Sequence, residues 1–149
     1  MAYLVDTSLL ARLANAADVQ HTAAVQAVVE LHRHGDVLYV PPQVLVEFRN
    51  VATRPKSLNG LGLSLTDAAK LASGFETAFP LLKETPDIYP AWKAIVEGVG
   101  IIGKQVHDAR LIAVCHVHGI SHLLTFNDAH FARMAGFGPG VVIVNPRSV

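Results

Sequence analysis

Three acidic residues stand where a fold has little use for a bare charge. Asp6 directly follows Tyr3-Leu4-Val5, a run that reads as a short buried strand, and open α/β sheets bind ligands beyond the carboxyl ends of their strands. Asp108 falls in a helix expected over residues 107–118. Turning about 100° per residue, that helix puts Asp108, Leu111, Ile112 and Cys115 at i, i+3, i+4 and i+7, one apolar stripe. An ionised carboxylate on such a stripe is costly unless it is paired, hydrogen-bonded or bound to a metal. The helix dipole in the first turn offsets only about 0.3–1 kcal/mol of that. Glu47 projects from the edge of a stripe formed by Val44, Leu45, Phe48, Val51 and Ala52. The structural alternatives are a turn residue at Asp6, a rim glutamate at 47 and a helix cap at Asp108.

Carboxylates that converge at one sheet edge repel, and the usual relief is protonation or a divalent cation. Oxygen-only ligands suit hard ions, Mg²⁺ with Mn²⁺ as a substitute, rather than zinc. Such an ion polarises a phosphate and activates a water, which is the chemistry of phosphodiester hydrolysis.

The elements that must position these residues alternate. Strands are expected at Tyr3–Val5, Val37–Val40, 122–126 and Val141–Val144, with a further short one near Leu81-Leu82. Helices are expected after Thr7 and Ser8, which offer capping oxygens, then over Val19–His32, from Pro42 to about Ala52, over Ser64–Phe79, Ala91–Glu97 and 107–118. Residues 53–63 form the one obvious loop. Short apolar strands alternating with helices imply a single α/β domain whose central parallel sheet of 4–5 short strands is flanked by helices.

Composition narrows the possibilities without choosing among them. With 12 basic and 12 acidic residues the net charge is zero, so the chain lacks the broad cationic field of a non-specific nucleic-acid binder. Arg49, Arg54, Lys56 and Lys104 are the candidates for local phosphate steering. The single cysteine, Cys115, excludes an intrachain disulfide and reads as a buried hydrophobe. No apolar run reaches the roughly 20 residues of a membrane helix, and the N-terminus lacks the pattern of a signal peptide. A cytoplasmic protein is therefore expected. Gly98, Gly100 and Gly103 spell a dinucleotide fingerprint but follow a helix-like stretch, so Gly98 reads as a helix stop. His116, His118 and His122 are closely spaced, but 116 and 118 point to different sides of their helix and cannot share one ion while it holds. His107 could touch substrate, and His21, His32, His34 and His130 read as surface residues. A phosphotransfer role for Asp6 of the haloacid-dehalogenase kind needs an acid two positions on, where Ser8 stands.

The motifs Leu-Val-Asp6-Thr-Ser, Val-Glu47-Phe after Pro-Pro, Val-His-Asp108-Ala-Arg-Leu and Leu-Leu-Thr125-Phe-Asn127-Asp128 occur in order along nearly the whole chain. In this the sequence resembles the PIN-domain ribonucleases, in length and compactness the VapC-type toxins of bacterial toxin–antitoxin pairs. The resemblance implies a Rossmann-like sheet, metal-dependent endonucleolytic cleavage of RNA, Asp6 and Asp108 on the metal, and Glu47 holding it through water or orienting the nucleophile. It also implies a homodimer restrained by a small antitoxin protein. The family pattern often places an aspartate where this chain has Asn127, so the fourth ligand falls to Asn127 or its neighbour Asp128. Two other functions compete with the toxin nuclease: a catalytically silent module binding RNA or a protein, and a metal-dependent phosphohydrolase of small phosphate esters.

Overall fold

Parallel pairing organises the whole chain. In the computed structural model, which describes residues 1–149, strands β1 (Ala2–Val5), β2 (Val37–Tyr39), β3 (His122–Leu124) and β4 (Val142–Val144) form one sheet in the order β2-β1-β3-β4. Every pairing is parallel: Leu4 faces Tyr39 on one side and Leu123 on the other, and Leu124 faces Val144. Leu4, Val5, Leu123 and Leu124 are fully buried, as expected of short, continuously apolar strands covered on both faces.

The connections are α1 (Thr7–Leu13) and α2 (His21–Arg33) from β1 to β2, and α3 (Pro42–Thr53), α4 (Leu65–Ala78), α5 (Ile88–Val99) and α6 (Gln105–His118) from β2 to β3. The short α7 (Asp128–Phe131) leads toward β4. The chain leaves β1 for β2 on one side, then returns past β1 to add β3 and β4 on the other. Right-handed crossovers in opposite directions place their helices on opposite faces of the sheet. The point where the order reverses lies between the carboxyl ends of β1 and β3, where such sheets open a crevice.

The expected architecture is observed, with several local corrections. Leu81 makes a single parallel bridge to Val40, because Pro80 and Pro41 flank the bridge and neither has an N–H to extend the ladder. Helix α5 is longer than expected. Pro90 sits in its first turn, where the ring costs no hydrogen bond, and the helix ends at Gly100 in the left-handed conformation (φ +80). Gly98 is therefore not the stop. It lies inside α5, where an added Cβ would come within 2.7 Å of the Phe137 ring. Helix α2 begins at His21 because Val19 lies 97% exposed in a turn. Ser64 caps α4 by accepting from the Asp67 N–H (3.1 Å). Cys115 is buried and its thiol is pushed up to about 12 by burial. No helix is long and apolar enough to cross a membrane.

Candidate functional site

Asp6 leaves the end of β1 and is only 6% exposed. A buried carboxylate needs donors, and two hydroxyls supply them. Ser8 Oγ donates to Asp6 Oδ2 (2.8 Å) and Thr125 Oγ1 donates to the same oxygen (2.6 Å). Both hydroxyls are fixed in turn by backbone: the Phe126 N–H donates to Ser8 Oγ (3.0 Å) and the Asn127 N–H to Thr125 Oγ1 (2.9 Å). Thr7 and Ser8 are thus not caps of α1, whose N-cap position belongs to Asp6 without any side-chain cap. Their oxygens are turned into the site instead.

Glu47 extends from the middle of α3. Thr7 Oγ1 donates to its Oε2 (2.7 Å) and Gln43 Nε2 to its Oε1 (2.9 Å). Asp108 stands in the first turn of α6. The expected stripe is real, since Leu111, Ile112 and Cys115 are buried, but Ala109, Ala113 and Val114 are buried as well. The helix is enclosed almost all round, and its charged end remains 27% exposed at the cleft. Burial first, then the charge of Asp6, push the Asp108 carboxyl up from 3.8 to about 6. Glu47 adds to this rise, while His130 and His107 oppose it. His130 Nδ1 stands 3.9 Å from Asp108. That histidine is exposed, as expected of a surface residue, but nothing in the spacing of residues 108 and 130 announces its approach to Asp108.

These side chains line one cavity of about 370 Å³, to which Asp6, Glu47, Asp108 and Asn127 all contribute. Asp128 does not. It begins α7, is exposed, and accepts a hydrogen bond from Asn145 Nδ2 (3.0 Å). β3 has ended at Leu124, so strict strand alternation no longer governs these positions, yet it is Asn127 that reaches the cavity wall. Among the phosphate-steering candidates only Arg54 lines it. Arg12 lines it too and was missed. It stacks 5.3 Å over the Phe126 ring and is held by Gln20 Oε1 (3.2 Å). Asp18 adds a further acid at the rim. The closely spaced histidines go separate ways, His118 to the Lys83 carbonyl and His122 to Ser121, while His116 Nε2 is buried without a partner.

The loop 54–63 forms one wall and is laced to α3. The N–H groups of Leu61, Gly62 and Leu63 donate to the carbonyls of Val51, Arg54 and Ala52. Asn59 adopts the left-handed conformation (φ 64). At Gly60 a Cβ would lie 2.0 Å from the Arg54 carbonyl oxygen, so the backbone approach there admits only glycine.

The donor set fits a hard divalent cation. It is oxygen-only, and the charges of Asp6 and Glu47 raise the proton affinity of Asp108, which a cation relieves. No three acidic, histidine or cysteine side chains stand close enough to hold one ion as they are placed.

An acid-lined crevice at the switch point of a small, wholly parallel sheet defines a class of Rossmann-like α/β proteins with a carboxylate centre. Within that class the chain belongs to the PIN domain family, whose profile matches residues 3–137. No curated protein sequence matches it. Among solved structures it is similar to VapBC2 from Rickettsia felis bound to a DNA fragment from their promoter, with 16% identity, TM-score 0.71, and 97% of this chain and 98% of that one covered. It is also similar to the Mycobacterium tuberculosis sarcin-ricin loop cleaving toxin VapC20, with 25% identity, TM-score 0.65, and 87% and 93% covered. FitAcB from Neisseria gonorrhoeae matches with 15% identity, TM-score 0.70, and 99% of both chains covered. The resemblance to VapC-type PIN proteins carried by the motifs is thereby confirmed.

Proposed function

We propose that this protein is a magnesium-dependent endoribonuclease, the toxin of a VapBC-type toxin–antitoxin pair. The observation that carries the proposal is the convergence of Asp6, Glu47 and Asp108 on one cavity, with Asn127 in its wall, in a chain of the PIN family. Similarity to VapC20, a sarcin-ricin loop cleaving toxin, supports RNA as the substrate. Relatives solved as VapBC and FitAB assemblies support a small antitoxin as partner. A homodimer is the expected assembly, as in the family.

Asp6 and Asp108 would hold Mg²⁺, or Mn²⁺ in its place, with Glu47 in support and the Asn127 side-chain carbonyl as a neutral fourth oxygen. The ion supplies Lewis-acid polarisation of the scissile phosphate and an activated water. The protein's part is positioning and electrostatics. Ser8 and Thr125 fix Asp6 with one oxygen loaded by donors, Thr7 and Gln43 fix Glu47, and Arg12 and Arg54 bring positive charge to an otherwise acidic cavity. Guanidinium groups suit the non-bridging oxygens of a phosphate chain.

Antitoxin-free protein incubated with total RNA and Mg²⁺ or Mn²⁺ should give discrete, mappable cuts that vanish with a chelator. RNA left intact by folded protein in both metals overturns the nuclease reading and leaves the silent binding module. Turnover of small phosphate esters with RNA untouched would assign the phosphohydrolase instead.

A further inference from the structure

Gln43 lies one helical turn before Glu47 on α3, and its amide is fully engaged. Nε2 donates both to Glu47 Oε1 (2.9 Å) and to the His107 carbonyl (3.0 Å), while Oε1 accepts from Arg110 Nη1 (3.0 Å). An amide can lie either way round, but a guanidinium only donates. Arg110 therefore accepts a single orientation, the one that turns both N–H donors toward the site. Arg110 is itself gripped by Glu84 through two bonds of 2.6 and 3.3 Å.

Two effects follow from that one amide. It completes the hold on Glu47, whose other oxygen belongs to Thr7. It also ties the helix bearing Glu47 to the residue next to Asp108, across 64 positions of sequence. We propose that Gln43, oriented by Arg110 and Glu84, is a positioning residue that sets the placement of Glu47 relative to Asp108 and thereby the affinity of the site for a divalent cation. This rests on the metal-site reading above. A half-exposed i, i+4 contact of this kind contributes little to helix stability, whereas groups that orient metal ligands typically change metal affinity about 10–100-fold.

The test is calorimetric titration of antitoxin-free protein with Mn²⁺, with a thermal melt of each variant beside it. Gln43→Met keeps the length and removes the amide. Gln43→Glu still accepts from Arg110 but cannot donate to Glu47. Both should bind Mn²⁺ at least about tenfold more weakly than wild type with melting temperatures close to it, and RNA cleavage should lose kcat more than KM. Arg110→Met, altered only at the surface end of the chain of bonds, should show a smaller loss of the same kind. Unchanged Mn²⁺ affinity in Gln43→Met overturns the proposal. If Gln43→Met unfolds, unchanged affinity in Arg110→Met overturns it. A wild type that binds no Mn²⁺ overturns the metal-site reading itself, a result distinct from equal binding by wild type and variants.

Discussion

Thr125 Oγ1 donates to Asp6 Oδ2 at 2.6 Å, joining the carboxyl ends of β3 and β1 across 119 residues. The bond holds a buried carboxylate at the bottom of the cavity with its second oxygen left for a ligand. Thr125→Val keeps the shape and deletes the donor. Hydrogen bonds to charged groups contribute about 1.5–3 kcal/mol, so this variant should lose about ten- to a hundredfold in RNA cleavage, while Thr125→Ser retains most of it. Equal activity in the Val and Ser variants would show that the hydroxyl does not position Asp6.

Asp6→Asn and Asp108→Asn should each lower the cleavage rate by at least about a hundredfold, with circular dichroism unchanged. Asp128→Asn should cleave nearly as well as wild type, because Asp128 faces Asn145 rather than the cavity. Rates measured on one defined RNA decide between the two positions.

Asp108 gives the metal-free protein a characteristic pH dependence. Its folded-state value of about 6 lies above the ordinary 3.8, so the fold favours the protonated acid. That contribution is fully present below pH 3.8 and is lost as pH rises through about 6. Asp108→Asn should therefore be more stable than wild type at pH 7 without metal, by on the order of 1–3 kcal/mol, with the advantage shrinking toward pH 4. Mg²⁺ should stabilise wild type at pH 7 and leave the variant nearly unmoved. Urea denaturation at the two pH values, with and without Mg²⁺, provides the measurement. A pH-independent difference would refute the assignment.

Two glycines should respond oppositely to alanine. Gly74 lies in α4 with open space around its Cβ position, so Gly74→Ala should stabilise by about 0.5–1 kcal/mol through helix propensity. Gly60→Ala meets the Arg54 carbonyl and should destabilise by about 1–3 kcal/mol, releasing the 54–63 wall and lowering cleavage. Hydrogen exchange at Leu61, Gly62 and Leu63, whose N–H groups hold that wall, reports the release directly.

The acids were legible because each broke a pattern. Asp6 ended an apolar strand, Asp108 interrupted an apolar helix stripe, and the four motifs followed one another in order. Their supports were not legible. Ser8, Thr125 and Gln43 are tied to Phe126, Asp6 and His107 far off in sequence, and His130 approaches Asp108 without a hydrogen bond; only the topology of β1 beside β3 and the approach of α3 to α6 brings these residues together. Gly98 misled because a glycine near a helix end reads as a stop, whereas here the Phe137 ring requires it and Gly100 supplies the left-handed turn. Residues 81–82 misled because two apolar residues resemble a strand until the flanking prolines are weighed.

The bond between the ends of β1 and β3 also fixes when the site comes into being. A ribosome that has released the first hundred residues has delivered Asp6 and Glu47, but neither Asp108 nor Thr125. Until β3 docks beside β1, Asp6 lacks its Thr125 donor and the cavity lacks Asn127. The centre therefore cannot assemble from the first half of the chain alone, and it forms only when the segment carrying Asp108 and Thr125 has folded back onto β1.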